Sequence, residues 1–212
     1  MAQGSYQCAN CAHQGCKTHQ PDKTMAVCPC KNTQTQEQAK ALYAEEEDHR
    51  IAHESALVEQ EGYGRLTRME EIMLFAKRAG YQRLGLVFCA GLKEEARQVS
   101  RILAYNGFDV VSVICKNGAI PKSFIGLTDE QTLSGCADEV MCNPIGQALL
   151  MNQEKTQLNI LLGLCVGHDT LALKYLQAPT TVLAVKDRVT GHNPLAAIYM
   201  ADGYYKKRFF PE

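Results

Sequence analysis

Residues 84–114 read LGLVFCAGLKEEARQVSRILAYNGFDVVSVI, and this segment decides the fold. It begins with the apolar run Leu84 to Phe88 and ends with a second apolar run, Val110 to Ile114. Between them lies a helical stretch from Lys93 to Tyr105, which Gly107 breaks. Two strands that are joined through a helix run parallel to each other. The segment therefore predicts a β-α-β unit and the beginning of a parallel sheet.

The same alternation continues towards the end of the chain. Two more apolar runs predict strands, and three more segments predict helices, two of them opened by an asparagine cap followed by proline. The strands are Leu158 to Leu164 and Thr180 to Val185; the helices run from Asn143-Pro144 to about Asn152, from Thr170 to Leu176 with Asp169 as cap, and onward from Asn193-Pro194. Right-handed crossovers place such helices on both faces of a sheet. We therefore predict a Rossmann-like three-layer α/β sandwich with a mostly parallel sheet.

The amino-terminal third is organised differently. Gln34 to Glu61 is an uninterrupted run of helix-forming residues that ends at Gly62 and Gly64. Thr67 then caps another helix, with Glu70 as its partner in a capping box. These boundaries predict a Cys-rich metal-binding knuckle at 1–33, a long linking helix at 34–64 and the α/β domain at 65–212.

Charge and hydropathy exclude several classes of partner. The chain has 212 residues and a formal net charge of -1, with acids and bases interspersed. It lacks the basic stripe that a phosphate backbone requires, so we do not expect nucleic acid as a partner. The polar amino terminus is not a secretory signal, and the longest apolar stretch, Leu158 to Val166, is too short to span a bilayer. We therefore expect a cytoplasmic protein without a membrane partner.

The chain contains ten cysteines. Cytoplasmic thiols are kept reduced, so a disulfide framework is not expected, and metal, redox or catalytic use is the better interpretation. An isolated free cysteine is often only a small buried apolar residue, but this alternative does not explain clusters. Cys136, in a loop with Asp138 and Glu139, is either a spare ligand or an ordinary surface thiol, and we favour the surface thiol.

Three cysteines stand where predicted strands end. Cys89, Cys115 and Cys165 follow the first, second and third strands. The carboxyl ends of parallel strands share one edge, where open α/β folds bind ligands, so these thiols should converge. Cys142 directly precedes a predicted helix, and its loop could fold over the same edge. The amino ends of helices favour thiolates over thiols, which makes such cysteines better ligands and nucleophiles.

Charged residues and histidines accompany these thiols. His168 follows Cys165, and Lys186, Asp187, Arg188 and His192 follow the fourth strand. The histidines titrate near neutrality and could bind a metal or transfer protons, while the charged triplet could orient a small anionic molecule. Taken alone, the triplet is most simply a solvated turn. The predicted catalytic set is Cys89, Cys115, Cys142, Cys165, His168, Lys186, Asp187, Arg188 and His192.

The amino-terminal knuckle has its own cysteine pattern. Cys8-x2-Cys11-x4-Cys16 and Cys28-x-Cys30 place five thiols in a segment that has almost no large apolar residue. Metal binding would supply the missing folding energy, and four ligands are needed. We predict Cys8, Cys11, Cys16 and Cys28 as ligands, with Cys30 as a spare that could exchange with Cys28. The spacing is compatible with zinc or an iron-sulfur cluster and does not separate them.

These patterns leave two functions open. One is a metal- or iron-sulfur-binding protein that could act as a redox or thiol-dependent enzyme, with its site at the carboxyl ends of the strands. The alternative is a non-catalytic zinc-binding or regulatory sensor protein. The sequence has neither G-x-G-x-x-G after the first strand nor a P-loop, and it lacks G-x-S-x-G. Cysteine is therefore the expected nucleophile if the protein is an enzyme.

Several motifs together resemble those of a known family. They are Val87-Phe-Cys-Ala-Gly-Leu92, Ile114-Cys-Lys116, Met141-Cys-Asn-Pro144 with Gln147-Ala148, Gly163-Leu-Cys-Val-Gly-His-Asp169, and Val185-Lys-Asp-Arg-Val189 with Gly191-His-Asn-Pro194. Over essentially the whole chain, the sequence resembles an uncharacterised family of predicted metal-binding proteins, domain of unknown function 1847. The resemblance implies metal binding in an anaerobic setting and no particular reaction. It also implies that the position of Cys30 need not be cysteine.

Overall fold

A computed structural model describes residues 5–20 and 22–211 of the chain. The chain divides into two compact units, Met1–Glu61 and Gly62–Glu212. The first contains short 3-10 turns at Cys8–Asn10 and Pro29–Lys31, followed by helices α1 (Thr33–Leu42) and α2 (Glu46–Gly62).

The prediction of one long helix from Gln34 to Glu61 is wrong, because a turn over residues 43–45 separates α1 from α2. The amides of Ala44 and Glu45 donate to carbonyls three residues back, which tightens the end of α1. Acidic residues then fill the first turn of α2, where the helix dipole favours negative charge. The acidic run therefore starts a second helix instead of continuing the first.

The second unit contains a four-stranded sheet in the order β2-β1-β3-β4. All strand pairs are parallel. The strands are β1 (Arg83–Phe88), β2 (Asp109–Ile114), β3 (Leu158–Leu164) and β4 (Thr180–Val185); the helices are α3 (Arg68–Arg78), α4 (Lys93–Tyr105), α5 (Pro144–Gln153), α6 (His168–Tyr175), α7 (Pro194–Tyr199) and α8 (Lys206–Phe209). A parallel sheet flanked by helices confirms the predicted Rossmann-like α/β fold.

Alternate residues of the central strands pack on opposite faces of the sheet. Leu84 and Leu86 of β1 belong to one buried cluster, together with side chains of α3 and α4. Val87, the next residue along β1, belongs to a second cluster with Met151 of α5 and Ala172 of α6. Side chains of a strand point alternately to its two faces, so both faces of this sheet are covered by helices.

In the second unit, the predicted start of α3 is confirmed and the predicted start of α6 is wrong. The capping box of Thr67 and Glu70 is present at the start of α3, as predicted. The prediction that Asp169 caps α6 is wrong, because α6 begins at His168 and its N-cap is Gly167 with φ 85. A positive φ costs glycine little, so the chain turns into the helix earlier than the sequence pattern suggests.

Within the described part of the chain, no helix has the length and apolarity needed to cross a membrane.

Candidate functional site

A cavity of about 730 Å³ opens at the carboxyl edge of the sheet, and we name it the rim pocket. Cys89, Cys115, Cys142 and Cys165 line it. The other residues of the predicted catalytic set line it as well, namely His168, Lys186, Asp187, Arg188 and His192. All nine side chains are therefore neighbours, although they come from five separate segments of the chain.

Backbone hydrogen bonds beyond the strand ends hold the cysteines together. The Cys89 amide donates to the carbonyl of Leu162 at 3.1 Å, and the Cys115 amide donates to the carbonyl of Phe88 at 2.9 Å. The hydrogen bonding between neighbouring strands thus continues one residue past the ends of β1 and β2, and it keeps the two cysteines side by side at the edge of the sheet. The Asn143 amide donates to the carbonyl of Cys115 at 2.7 Å, which brings the loop with Cys142 over the sheet edge.

Cys115 and Cys142 form a close pair of sulfurs. Their Sγ atoms lie 3.7 Å apart, and the Ala90 amide donates to the Cys115 Sγ at 3.2 Å. The hydrogen bond to Cys115 lowers the pKa of Cys142 to about 7, assisted by the charge of Lys116. The same hydrogen bond and burial raise the pKa of Cys115. Cys142 is therefore the member of the pair that ionises first.

Cationic side chains surround the thiols. Arg188 directs its Nη2 towards the Sγ of Cys165 at 3.4 Å. Lys116, Lys122 and Lys186 also line the rim pocket. Hydrogen bonding to Cys165 raises the pKa of Arg188, which stays charged. A pocket with several cations favours negative charge on its sulfurs and on any ligand.

Asp187 and His192 hold the turn that follows β4. The Asp187 carboxylate accepts hydrogen bonds from the amides of Val189 and Thr190 at 2.9 and 3.0 Å. Hydrogen bonding to Thr190 lowers the pKa of Asp187. The Asp187 amide donates to Nδ1 of His192 at 3.1 Å, so a neutral His192 carries its proton on Nε2. These two residues therefore shape the pocket wall that carries Lys186 and Arg188.

Comparison with known proteins identifies the family. Residues 28–183 match the family described as "Protein of unknown function (DUF1847)". The chain belongs to this DUF1847 family. It is also 45% identical over 166 residues to an uncharacterised protein of Methanocaldococcus jannaschii, covering 78% of this chain and 83% of that protein. No solved structure matches the chain significantly.

The segment matched to DUF1847 includes the four cysteines of the rim pocket. It begins at Cys28, so three of the predicted knuckle ligands precede it: Cys8, Cys11 and Cys16. The family description names neither a metal nor an activity. The family match therefore leaves the chemistry of both cysteine groups open.

Three residues that matter to the rim pocket were missed by the sequence reasoning. Lys116 directly follows Cys115, so the strand-end argument could have included it. Lys122 and Glu139 lie in the irregular segment between β2 and α5, which gives no periodic signal. They pair at 2.7 Å, with 18% and 21% of the two side chains exposed. This ion pair joins two parts of the loop that covers the rim pocket.

The Lys122–Glu139 pair predicts a pH-dependent stability. Hydrogen bonding to Lys122 lowers the pKa of Glu139 from its ordinary value of 4.5 to about 2. The stabilisation is present above the unfolded-state pKa and is lost as the pH falls towards 2. We expect Glu139→Gln to lower the thermal unfolding midpoint at pH 7 and to have little effect near pH 2. Exposed Glu59→Gln serves as control, and an equal deficit at both pH values would contradict the assignment.

The knuckle cysteines are only partly grouped. Cys28 and Cys30 share a hydrogen bond, and Cys30 also interacts with Cys16. The Cys11 amide donates to the carbonyl of Cys8 at 3.1 Å, which forms the compact turn expected of a chelating pair. Cys30, which was predicted as the spare ligand, therefore interacts with two other knuckle cysteines.

Neither cysteine group is arranged as a finished metal site. Among residues 5–20 and 22–211, no three His, Cys, Asp or Glu side chains are grouped so that they could hold one metal ion. Cys115 and Cys142, whose Sγ atoms lie 3.7 Å apart, form a pair and not a group of three. A metal in the rim pocket would therefore require other thiols to turn towards this pair.

Proposed function

We propose that the rim pocket is a thiolate centre that binds zinc or an iron-sulfur cluster and carries out redox or thiol-dependent chemistry. The observation that carries the proposal is the Cys115–Cys142 separation of 3.7 Å in a pocket lined by two more cysteines. Two thiolates on one tetrahedral ion, each about 2.3 Å from the metal, stand about 3.8 Å apart. The pair therefore has the spacing of one edge of such a site.

The surroundings of the thiols suit a negatively charged centre. Four thiolates around a divalent ion leave a net charge of about −2, and Lys116, Lys186 and Arg188 line the same pocket. The Ala90 amide, which donates to the Cys115 Sγ, is the type of donor that tunes metal-bound sulfur. These groups would compensate the charge and orient the ligands.

Cys89 and Cys165 would complete the ligand set by turning towards the pair. A zinc ion held by three of these thiols would keep an open position and supply Lewis acidity, and a cluster held by all four would supply electron transfer. The residues of the chain would bind the substrate, supply positive charge and move protons through His168 or His192. Such thiol chemistry suits the cytoplasm, where we place the protein, because thiols stay reduced there.

We also propose a second metal, held in the knuckle by Cys8, Cys11, Cys16 and Cys28, with Cys30 able to replace Cys28. Gly15 is the only buried residue among the described residues of 5–33, so this segment has no apolar core. A metal would supply the folding energy that burial does not. This observation favours the second candidate function, a non-catalytic zinc-binding or sensor protein, in which both metals are structural or regulatory.

The test is the metal content of the full chain after anaerobic purification. We expect iron with labile sulfide, or zinc, in the wild-type protein, and the loss of one ion or one cluster in the double variant Cys115→Ser/Cys142→Ser. Cys136→Ser is the matched control, because Cys136 is exposed. A double variant that is folded by circular dichroism and keeps the wild-type content would refute a rim metal.

A further inference from the structure

Lys186 differs from the other lysines of the rim pocket. Lys122 pairs with Glu139, and the Nζ of Lys116 donates to the carbonyl of Val140. Lys186 is half-buried, yet no described residue accepts a hydrogen bond from its ammonium group or forms an ion pair with it. Its ammonium group lines the rim pocket as a positive charge that no group in the described part of the chain neutralises, so this position is suited to a negatively charged ligand.

Open space lies beside the Lys186 ammonium, over Gly91. A Cβ atom placed on Gly91 would stand 3.6 Å from the Nζ of Lys186 and 4.0 Å from the Sγ of Cys89. No closer atom lies around that point. The absence of a side chain at Gly91 therefore leaves room for a ligand atom between a cation and a thiol.

We infer that this space binds the oxyanion group, carboxylate or phosphate, of a small-molecule substrate, with Lys186 as its cation. The inference rests on the proposed function, because it names the class of molecule that the same pocket takes. An ammonium group is a point charge with three donors, and both kinds of oxyanion satisfy it. The bound molecule then lies against Cys89, and the Arg188 guanidinium adds a second positive charge to the same pocket.

Two substitutions test the inference in complementary ways. Lys186→Met removes the cation and keeps most of the side-chain volume. Gly91→Ala keeps the cation and fills the space, and its Cβ would make only ordinary contacts without a positive φ. The controls are Lys207→Met, at an exposed residue near the carboxyl terminus, and Gly203→Ala, whose nearest contact would be 3.6 Å.

The measurement is calorimetric titration of the full chain with inorganic phosphate and, in a second arm, with malonate. We expect one of the two to bind the wild-type protein. Lys186→Met should raise its Kd about tenfold or more, the usual effect of losing a charge-assisted hydrogen bond, and Gly91→Ala should raise it by a similar factor because the added methyl group occupies the space of the anion. Both controls should keep the wild-type Kd. Wild-type protein that binds neither anion, or test variants with unchanged Kd, would overturn the inference.

Metal analysis of the same samples separates this inference from the proposed function. Gly91→Ala should retain the wild-type metal content, because it removes neither a thiol nor a charge. Cys115→Ser/Cys142→Ser should lose the rim metal and still bind the anion through Lys186. Anion binding that is unaffected by Lys186→Met overturns the oxyanion site alone. An unchanged metal content in the double cysteine variant overturns the metal centre alone.

Discussion

Replacing Gln147 by leucine is expected to lower the free energy of unfolding by about 1–3 kcal/mol, because two buried hydrogen bonds are lost. Gln147 is fully buried on α5. Its Nε2 donates to the carbonyl of Phe88 at 3.1 Å and to that of Val113 at 2.7 Å. Leucine fills a similar volume but cannot donate to either carbonyl.

The consequence reaches the rim pocket, because Phe88 directly precedes Cys89 and Val113 lies two residues before Cys115. We therefore expect Gln147→Leu to reduce binding of the metal that we propose for the rim pocket as well. Urea unfolding followed by circular dichroism measures the loss of stability. The matched control is Gln153→Leu, at an exposed position of the same helix, which should change stability by no more than about 0.5 kcal/mol. Equal stabilities of the two variants would show that Gln147 does not hold the strand ends.

The parallel sheet was predictable because its strands are short apolar runs between strong breakers. The limits of β3 and β4 agree with the predicted runs, and α4 runs from Lys93 to Tyr105 as expected. In these segments, the secondary-structure propensity of the residues and the burial of their apolar side chains favour the same structure. Apolar strands buried on both faces give a clear signal for this reason.

The irregular segment between β2 and α5 was not predictable in the same way. It is held by tertiary contacts, such as the antiparallel bridge between Pro121 and Val140 and the ion pair of Lys122 with Glu139. These contacts join residues that no periodic pattern relates. The sequence therefore showed where regular structure stops, without showing how the loop covers the rim pocket.

The thiols of the rim pocket were partly predictable. The position of a cysteine at the end of a parallel strand is enough to place Cys89, Cys115 and Cys165 on one edge. The place of Cys142 depends on one hydrogen bond from the Asn143 amide to the carbonyl of Cys115, which spacing does not reveal. The space over Gly91 and the unpaired ammonium of Lys186 likewise depend on distances between remote segments.

Gly163→Ala is expected to lower the free energy of unfolding by about 2–5 kcal/mol. Of this, about 1–2 kcal/mol is the cost of placing alanine in a left-handed backbone conformation, and about 1–3 kcal/mol is the cost of overpacking. Gly163 has φ +66, and a Cβ there would lie 2.1 Å from the Cδ1 of Leu92. Gly80 has φ +74 with no atom within 4 Å of its Cβ position. Gly80→Ala therefore isolates the backbone cost, and should lose only about 1–2 kcal/mol.

Gly163 also determines how β3 presents its last residues. The register of the pairing between β3 and β4 shifts between Leu162 and Leu164. The side chains of β3 therefore stop alternating regularly between the two faces of the sheet at this point. Leu162 belongs to the cluster on one face of the sheet, whereas Leu164 belongs to the cluster on the other. Regular alternation would have placed Leu162 and Leu164 on the same face of the sheet, and the side chain of Cys165 would then have pointed to the other face. We therefore expect Gly163→Ala, unlike Gly80→Ala, to reduce binding of the metal that we propose for the rim pocket. Equal effects of the two variants on the free energy of unfolding and on the metal content would contradict this role for the irregular pairing.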